Sequence, residues 1–138
     1  MEFVDVNSLE WQDDPEFGSS VRQKILHFDN ETRSYVRLVQ TAPGFEGREI
    51  LCHDFDEAVY IVEGGMINTR NGNVYTANMN AFFKAGAEHG PFRTPVGTVN
   101  LEFRHYKPGT TVKSIPATNE MEFKHVDSYK WMDDAFFG

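Results

Sequence analysis

Apolar and polar residues alternate with a period of two along most of the chain, from about residue 21 to residue 106. This period is typical of β-strands, whose successive side chains point to opposite faces. Asn71-Gly72, between two strand-like runs, is a strong hairpin signal. Many short strands with glycine, proline and asparagine between them predict an all-β sandwich or barrel, and no helical period of useful length precedes residue 120. The predicted strands cover residues 21–28, 34–40, 49–53, 57–63, 66–69, 73–76, 81–83 and 98–106.

One segment of the sequence occurs twice, at residues 6–18 and again at residues 126–138. Val, Ser, Trp, Asp, Asp, Phe and Gly recur in register over its 13 positions. Three interpretations stay open: descent from a tandem two-domain protein, equivalent roles of the two ends in a dimer, and chance. Both tryptophans of the chain, Trp11 and Trp131, lie in this repeat, which favours a packing role because large rings anchor surfaces.

Length and charge limit the classes of protein to which the chain can belong. A chain of 138 residues predicts a single domain, 1–138, with its core at about 21–106. The net charge of −8 argues against nucleic acid as a partner, because a phosphate backbone would be repelled. No apolar run is long enough to span a membrane, and the N-terminus does not resemble a signal peptide. The single cysteine, Cys52, allows no internal disulfide, so we expect a cytoplasmic protein.

The residues with the most distinctive chemistry are two histidines and a glutamate in the middle of the chain. On an extended strand Leu51, His53 and Phe55 share a face, and Glu57 joins them if the strand continues without a bulge. His89 follows a later strand. Two imidazoles and a carboxylate on one concave β-surface make a site for a divalent metal ion. The alternative is that His53 is an ordinary surface histidine paired with its acidic neighbours.

The segment from His53 to Gly65 resembles the first motif of the cupin superfamily, Gly-x5-His-x-His-x3–4-Glu-x6-Gly. Residues 78–89 resemble the second motif, Gly-x5-Pro-x-Gly-x2-His, with Gly86 and His89 in place. Residues 89–93 resemble the corresponding segment in a subgroup of cupins. This subgroup includes acetylacetone-cleaving dioxygenase-like cupins and the cupin domain of zinc-binding anti-sigma factors. The resemblance implies a jelly-roll β-barrel of two antiparallel sheets over most of the chain.

The sequence departs from the cupin motifs at positions that bear on the site. Leu51 stands where the first histidine of the first motif falls, and Asn78 and Lys84 replace the glycine and the proline of the second motif. A three-ligand site binds a metal ion more weakly than a four-ligand one, so a cupin that has lost its metal is a serious alternative. The resemblance transfers metal-ligand roles only to the residues that match, which are His53, Glu57 and His89.

The resemblance implies a divalent metal cofactor whose identity stays open. Two histidines and a carboxylate suit non-haem Fe(II), and Zn, Mn or Ni would also fit. If no metal is bound, Glu57 becomes a candidate general acid or base, because burial in the barrel raises the pKa of a carboxyl group. Three further residues are candidates for contact with a substrate: Leu51 would make the pocket apolar, Phe103 could line it, and Arg104 could hold an anionic group.

The function that this resemblance favours is a metal-dependent oxidoreductase, a dioxygenase that acts on a C–C bond next to a carbonyl in a small molecule inside the barrel. The first alternative is a non-catalytic or metal-poor cupin that binds a small ligand as a sensor or accessory factor. Metal-independent isomerase, lyase or cyclase chemistry is also open. We expect a homodimer that uses the N-terminal strand and the C-terminal tail, because exposed sheet edges and aromatic ends usually find a partner.

Overall fold

The computed structural model describes residues 3–116, and the repeat at 126–138 lies outside them. Strand accounts for 56% of the structure and helix for 3%, so the predicted all-β fold is confirmed. A single turn of 3₁₀ helix, Val6–Ser8, precedes the strands. The strands are β1 Gln12–Asp14, β2 Gly18–Phe28, β3 Tyr35–Thr41, β4 Phe45–Glu46, β5 Glu49–Cys52, β6 Phe55–Asn68, β7 Val74–Thr76, β8 Asn80–Phe83, β9 Glu88–His89, β10 Phe92–Thr94, β11 Thr98–Tyr106 and β12 Lys113–Pro116.

The strands form two antiparallel sheets that face each other. The larger sheet has the order β1-β2-β3-β11-β6-β10-β4, and β7 and β8 also pair with β6. It curls into a half-barrel, and the smaller sheet β12-β5-β9 completes the jelly roll. Every strand pair within residues 3–116 is antiparallel, which confirms the predicted architecture of two antiparallel sheets. Of the candidate metal ligands, Glu57 lies in β6, His89 lies in β9 of the small sheet, and His53 directly follows β5.

The longest strand, β6, runs through the point where the sequence predicted a break. Gly64 has a φ of +77°, and a Cβ built on it would overlap the carbonyl oxygen of Gly97. Glycine is required there because two backbone segments approach closely and the backbone is left-handed. The strand therefore bends at Gly64 and continues. Its first half pairs with β11 and β8. Its second half pairs with β10 and with β7, and the turn between β6 and β7 is the hairpin predicted at Asn71-Gly72.

The inward face of β11 carries polar side chains into the barrel. Asn100, Glu102 and Arg104 point inward, since alternate residues of a strand share a face. Arg104 is paired across the sheet with Glu57 of β6, whereas Asn100 is paired with Ile61. The interior is therefore divided into a charged region near Glu57 and a more apolar region near Asn100.

The N-terminal segment packs against β2 and β3. The Lys24 ammonium lies 4.8 Å from the ring centroid of Trp11 and donates a hydrogen bond of 3.0 Å to the carbonyl of Val6. Asp14, at the end of β1, is buried and reaches Arg37 of β3. The first copy of the repeated segment thus contributes both a ring on the sheet and a carboxylate inside the barrel.

Candidate metal centre

Three potential metal ligands meet inside the barrel, although they come from separate segments. His53 directly follows β5, Glu57 is the third residue of β6, and His89 ends β9. One ligand atom of each residue lies within 4.8 Å of those of the other two. Glu57 and His89 are buried, with exposures of 4% and 6%, and His53 is half-buried. The fold therefore brings together the three residues that the sequence indicated as ligands.

Both histidines are held in the neutral form that binds metal ions. Burial, together with the nearby His89 and Arg104, lowers the pKa of His53 from 6.5 to about 3. Burial also lowers the pKa of His89. The Nδ1 atoms of both rings are buried and have no hydrogen-bond partner among residues 3–116. Because a buried polar atom without a partner costs about 1–3 kcal/mol, the site favours a ligand that satisfies these nitrogens.

Aromatic rings fix the orientation of the two imidazoles. Phe55 stacks on His53 and Phe83 stacks on His89, each with ring centroids 4.4 Å apart. The two imidazoles meet edge to face, again at 4.4 Å. Stacking on both outer sides limits the rotation of each ring, so the two histidines are held facing each other.

The carboxylate of Glu57 already has a cationic partner in Arg104. The Nε atom of Arg104 donates a hydrogen bond of 2.5 Å to Oε2 of Glu57, and its Nη1 atom donates one of 2.7 Å to the hydroxyl of Tyr35. Its Nη2 atom lies 3.3 Å from Oε1 of Glu102. The guanidinium also lies 4.5 Å from the centroid of Phe55. Arg104 thus fixes the direction of the Glu57 carboxylate and reaches the ring that stacks on His53.

The network continues from Glu102 through a second buried arginine. Arg37 donates hydrogen bonds of 2.9 Å to Glu102 and 2.8 Å to Asp14. In the part of the chain that the structure describes, the network has three carboxylates, Asp14, Glu57 and Glu102, and two guanidinium groups, Arg37 and Arg104, which leaves one negative charge when all are ionised. An unbalanced buried charge is costly, so the network favours an additional cation near Glu57.

Burial raises the pKa of Glu57 from 4.5 to about 7, and the negative charge of Glu102 acts in the same direction. Arg104 opposes this rise through its charge and its hydrogen bond. For Arg104 burial would lower the pKa, but the two glutamates outweigh burial and raise it. A cation bound beside Glu57 would therefore lower its pKa and favour the ionised carboxylate.

A cavity of about 510 Å³ opens onto these residues. Leu51 and Arg104 line it, and Leu51 lies directly opposite His89 across β5 and β9. Phe103 is not among the lining residues: it lies on the outer face of the sheet and is 48% exposed. This follows from its place in β11, since neighbouring residues in a strand point to opposite faces and Arg104 points inward.

Several residues of the site were not predicted from the sequence. Glu102 and Arg37 connect the network, and Asn100 lines the cavity. A usable signal was present in β11, because residues 100, 102 and 104 alternate with apolar residues on the opposite face. The other missed residues, Asp14 and Tyr35, come from distant segments whose meeting no local pattern encodes.

The residues present fit a divalent metal ion. Two neutral imidazoles and one carboxylate are a donor set common to zinc and non-haem iron sites. One nitrogen of each imidazole and one oxygen of Glu57 lie within 4.8 Å of one another, and such an ion would also offset the negative charge that the network carries when all its groups are ionised. Three protein ligands leave positions open toward the cavity, where a small molecule can also bind the ion.

Solved structures similar to this one share its architecture. An RmlC-like cupin from Shewanella frigidimarina has a TM-score of 0.64 at 21% identity, over 79% of this chain and 94% of that one. This chain has a cupin fold. The cupin likeness extends to an acetylacetone dioxygenase from Acinetobacter johnsonii, with a TM-score of 0.62 at 18% identity over 96% and 93% of the two chains. The polyketide cyclase RemF from Streptomyces resistomycificus has a TM-score of 0.66 at 18% identity, over 96% and 98%.

Among the three comparisons, only that with solved structures finds the cupin fold. No protein-family model matches this sequence, and no curated protein matches it. The similar structures include proteins named for different chemistry, a dioxygenase and a cyclase, so the shared fold leaves the reaction open. No helix within residues 3–116 is long and apolar enough to cross a membrane.

Proposed function

We propose that this cupin binds one divalent metal ion through His53, Glu57 and His89 and acts as a dioxygenase on a small carbonyl compound in its cavity. The observation that carries the proposal is the meeting of the three ligand atoms within 4.8 Å beside the cavity. The likeness to an acetylacetone dioxygenase supports a β-diketone as the first substrate class to test. In such a reaction a C–C bond next to a carbonyl breaks, and the two atoms of dioxygen enter the two products.

The charge of the buried network favours the binding of a cation, and the bound cation would then attract an electron-rich oxygen of the substrate. Binding of a divalent ion would change the charge of the network from −1 to +1, if all five of its groups are ionised. The resulting positive charge would attract the enolate form of a diketone. Bound iron would supply Lewis-acid and one-electron chemistry at this place.

The residues around the ligands have separate roles in this proposal. Arg104 holds the Glu57 carboxylate in place and supplies positive charge beside the substrate oxygen. Leu51 and the rings of Phe55 and Phe83 exclude water from the histidines, which strengthens electrostatic interactions in the site. Phe103, on the outer face, has no part in the site.

Oxygen consumption tests the proposed reaction. Iron-loaded protein supplied with acetylacetone should consume dioxygen, and His89→Ala should lower the rate by about 100-fold or more because it removes one of three ligands. The matched control is His27→Ala, which changes an exposed histidine of β2 and should retain the full rate. Equal rates in the wild-type and His89→Ala proteins would contradict a metal-dependent reaction at this site.

Binding of a small ligand without catalysis is a second candidate function. The observation that favours it is Leu51, which lies opposite His89 and supplies no fourth ligand. A protein of this kind would serve as a sensor or accessory factor. Unchanged ligand binding in metal-free His89→Ala protein, with no oxygen consumption by the wild type, would favour this function over the first.

A further inference from the structure

Buried polar atoms without partners mark two separate places in the cavity. Among the described residues, four buried side-chain atoms have no hydrogen-bond partner: His53 Nδ1, His89 Nδ1, Thr98 Oγ1 and Asn100 Oδ1. Three of these belong to residues that line the cavity, and Thr98 does not line it. The two histidine atoms belong to residues of the proposed metal centre. Asn100 is not one of these residues, and it therefore needs a separate explanation.

Asn100 lies well away from the metal centre. It is 3% exposed and points inward between its cross-strand neighbours Val39 and Ile61, which are also buried at 3% exposure. On β11 it is four residues from Arg104, which contacts Glu57, and this separation corresponds to about 13 Å along an extended strand. An amide oxygen without a partner in apolar surroundings is unfavourable unless a ligand supplies a donor.

The polar residues between these two places are already paired with each other. Glu102 lies between Asn100 and Arg104 on the same face of β11, and its carboxylate accepts a hydrogen bond of 2.9 Å from Arg37. A ligand crossing this layer meets Val59 of β6, which is paired with Glu102 across the sheet and lines the cavity. The middle of the ligand therefore needs no polar group of its own.

We propose that Asn100 is a specificity residue whose amide, turned about χ2 so that its oxygen faces the cavity, accepts a hydrogen bond from the far end of the substrate. The substrate is then an elongated molecule with a carbonyl at the metal, an apolar middle and a hydroxyl or N–H group near Asn100. This inference rests on the proposed function, since the metal centre fixes the other end of the substrate. A site built to pair with a substrate donor rejects the analogue that lacks it, because the buried acceptor is then left without a partner.

The stability of the free protein gives the first test and needs no ligand. Asn100→Leu replaces an unpartnered buried amide by an apolar side chain of similar size between Val39 and Ile61. We expect its melting temperature to rise by about 3 °C, as is typical when an active-site polar residue is replaced. Asn30→Leu, at an exposed position outside the cavity, is the matched control and should leave the melting temperature unchanged. A lower melting temperature for Asn100→Leu would show a structural role and overturn the proposal.

Binding selectivity gives the second test. Zinc-loaded protein avoids turnover, because zinc is not redox-active, and calorimetry can compare two straight-chain β-diketones that end in a methyl or in a hydroxyl group. The wild type should bind the hydroxyl compound about tenfold more tightly, which is the effect of one hydrogen bond to a buried acceptor. Asn100→Leu should abolish the preference, Asn100→Ala should do so without added bulk, and Asn30→Leu should retain it.

The outcomes separate the two proposals. Equal binding of both compounds by the wild type, or a preference that persists in Asn100→Leu and Asn100→Ala, would overturn the role of Asn100 while leaving the metal centre intact. Failure of both compounds to bind would contradict a metal-bound carbonyl. In that case a higher melting temperature of Asn100→Leu would still support a functional role for Asn100, and a lower one would overturn it.

Discussion

At the scale of single residues, the site is defined as much by Leu51 as by its three ligands. Leu51 lies directly across from His89 and lines the cavity, so a side chain at this position reaches the metal centre. Cupins that carry a histidine here have four ligands, according to the motif that this sequence resembles. The described residues offer three, which leaves an open position and a weaker site.

Restoring the missing histidine should therefore tighten metal binding. We expect Leu51→His to lower the dissociation constant for zinc by about tenfold or more, since a fourth ligand completes a tetrahedral site. Isothermal titration calorimetry with a competing chelator measures the change. Leu51→Gln is the control for polarity and size. Equal affinities in these two variants would mean that position 51 does not reach the ion.

The candidate ligands could be predicted from the sequence, but the other residues of the pocket could be predicted only in part. His53 and Glu57 fall within one motif and His89 within another, so a family pattern was sufficient to find them. Phe103 and Arg104 were both expected in the pocket, although consecutive residues of a strand cannot share a face. Only Arg104 lines the cavity, and Phe103 is exposed.

At the scale of elements, the long strand β6 depends on a glycine. The sequence predicted that Gly64-Gly65 ends the strand, because glycine usually weakens one. In the structure the strand continues to Asn68, since Gly64 allows the close approach of Gly97 and bends the sheet around the barrel. Strand bounds near such a residue depend on tertiary contacts that a local pattern does not contain.

Gly64→Ala should destabilise the protein strongly. Gly109→Ala is the matched control, because Gly109 has a similar left-handed backbone, with φ at +85°, but open space around it. We expect the control to cost about 1 kcal/mol of unfolding free energy, from backbone strain alone. Gly64→Ala should cost at least about 3 kcal/mol, because its Cβ overlaps the backbone of Gly97. Similar costs in urea denaturation would contradict the close approach.

The strand β1 is held to the barrel by the ion pair between Asp14 and Arg37, and this makes the stability of the protein depend on pH. Burial opposes ionisation of Asp14, but hydrogen bonds and the charge of Arg37 outweigh it, so the pKa of Asp14 lies below its usual 3.8. A carboxyl with a lowered pKa contributes stability that is complete above pH 3.8 and is lost as the pH falls through its folded-state value. Stability should therefore decrease as acid is added below this pH.

Asp14→Asn isolates this contribution. The variant should be less stable than the wild type at neutral pH, because Arg37 loses a buried partner. Its unfolding free energy should fall less steeply below pH 3.8 than that of the wild type. Asp13→Asn, at an exposed neighbouring position, should behave as the wild type does. Parallel pH profiles for the wild type and Asp14→Asn would contradict the role given to this ion pair.

At the scale of the whole molecule, the homodimer and the role of the repeated segment stay predictions. The first copy packs Trp11 against Lys24 and sends Asp14 into the barrel, while the second copy lies outside the described residues. We expect light scattering to give a dimer for the full chain, with weaker association after deletion of residues 126–138. A monomer in both cases would contradict this prediction.

The account depends most on whether the protein binds a metal ion at His53, Glu57 and His89. The direct measurement is elemental analysis by inductively coupled plasma mass spectrometry, on protein purified without an immobilised metal and then incubated with iron or zinc and dialysed. We predict about one ion per chain in the wild type and in His27→Ala, and close to none in His53→Ala and His89→Ala. Absence of bound metal in the wild type, or equal metal content in all four proteins, would contradict the proposed centre.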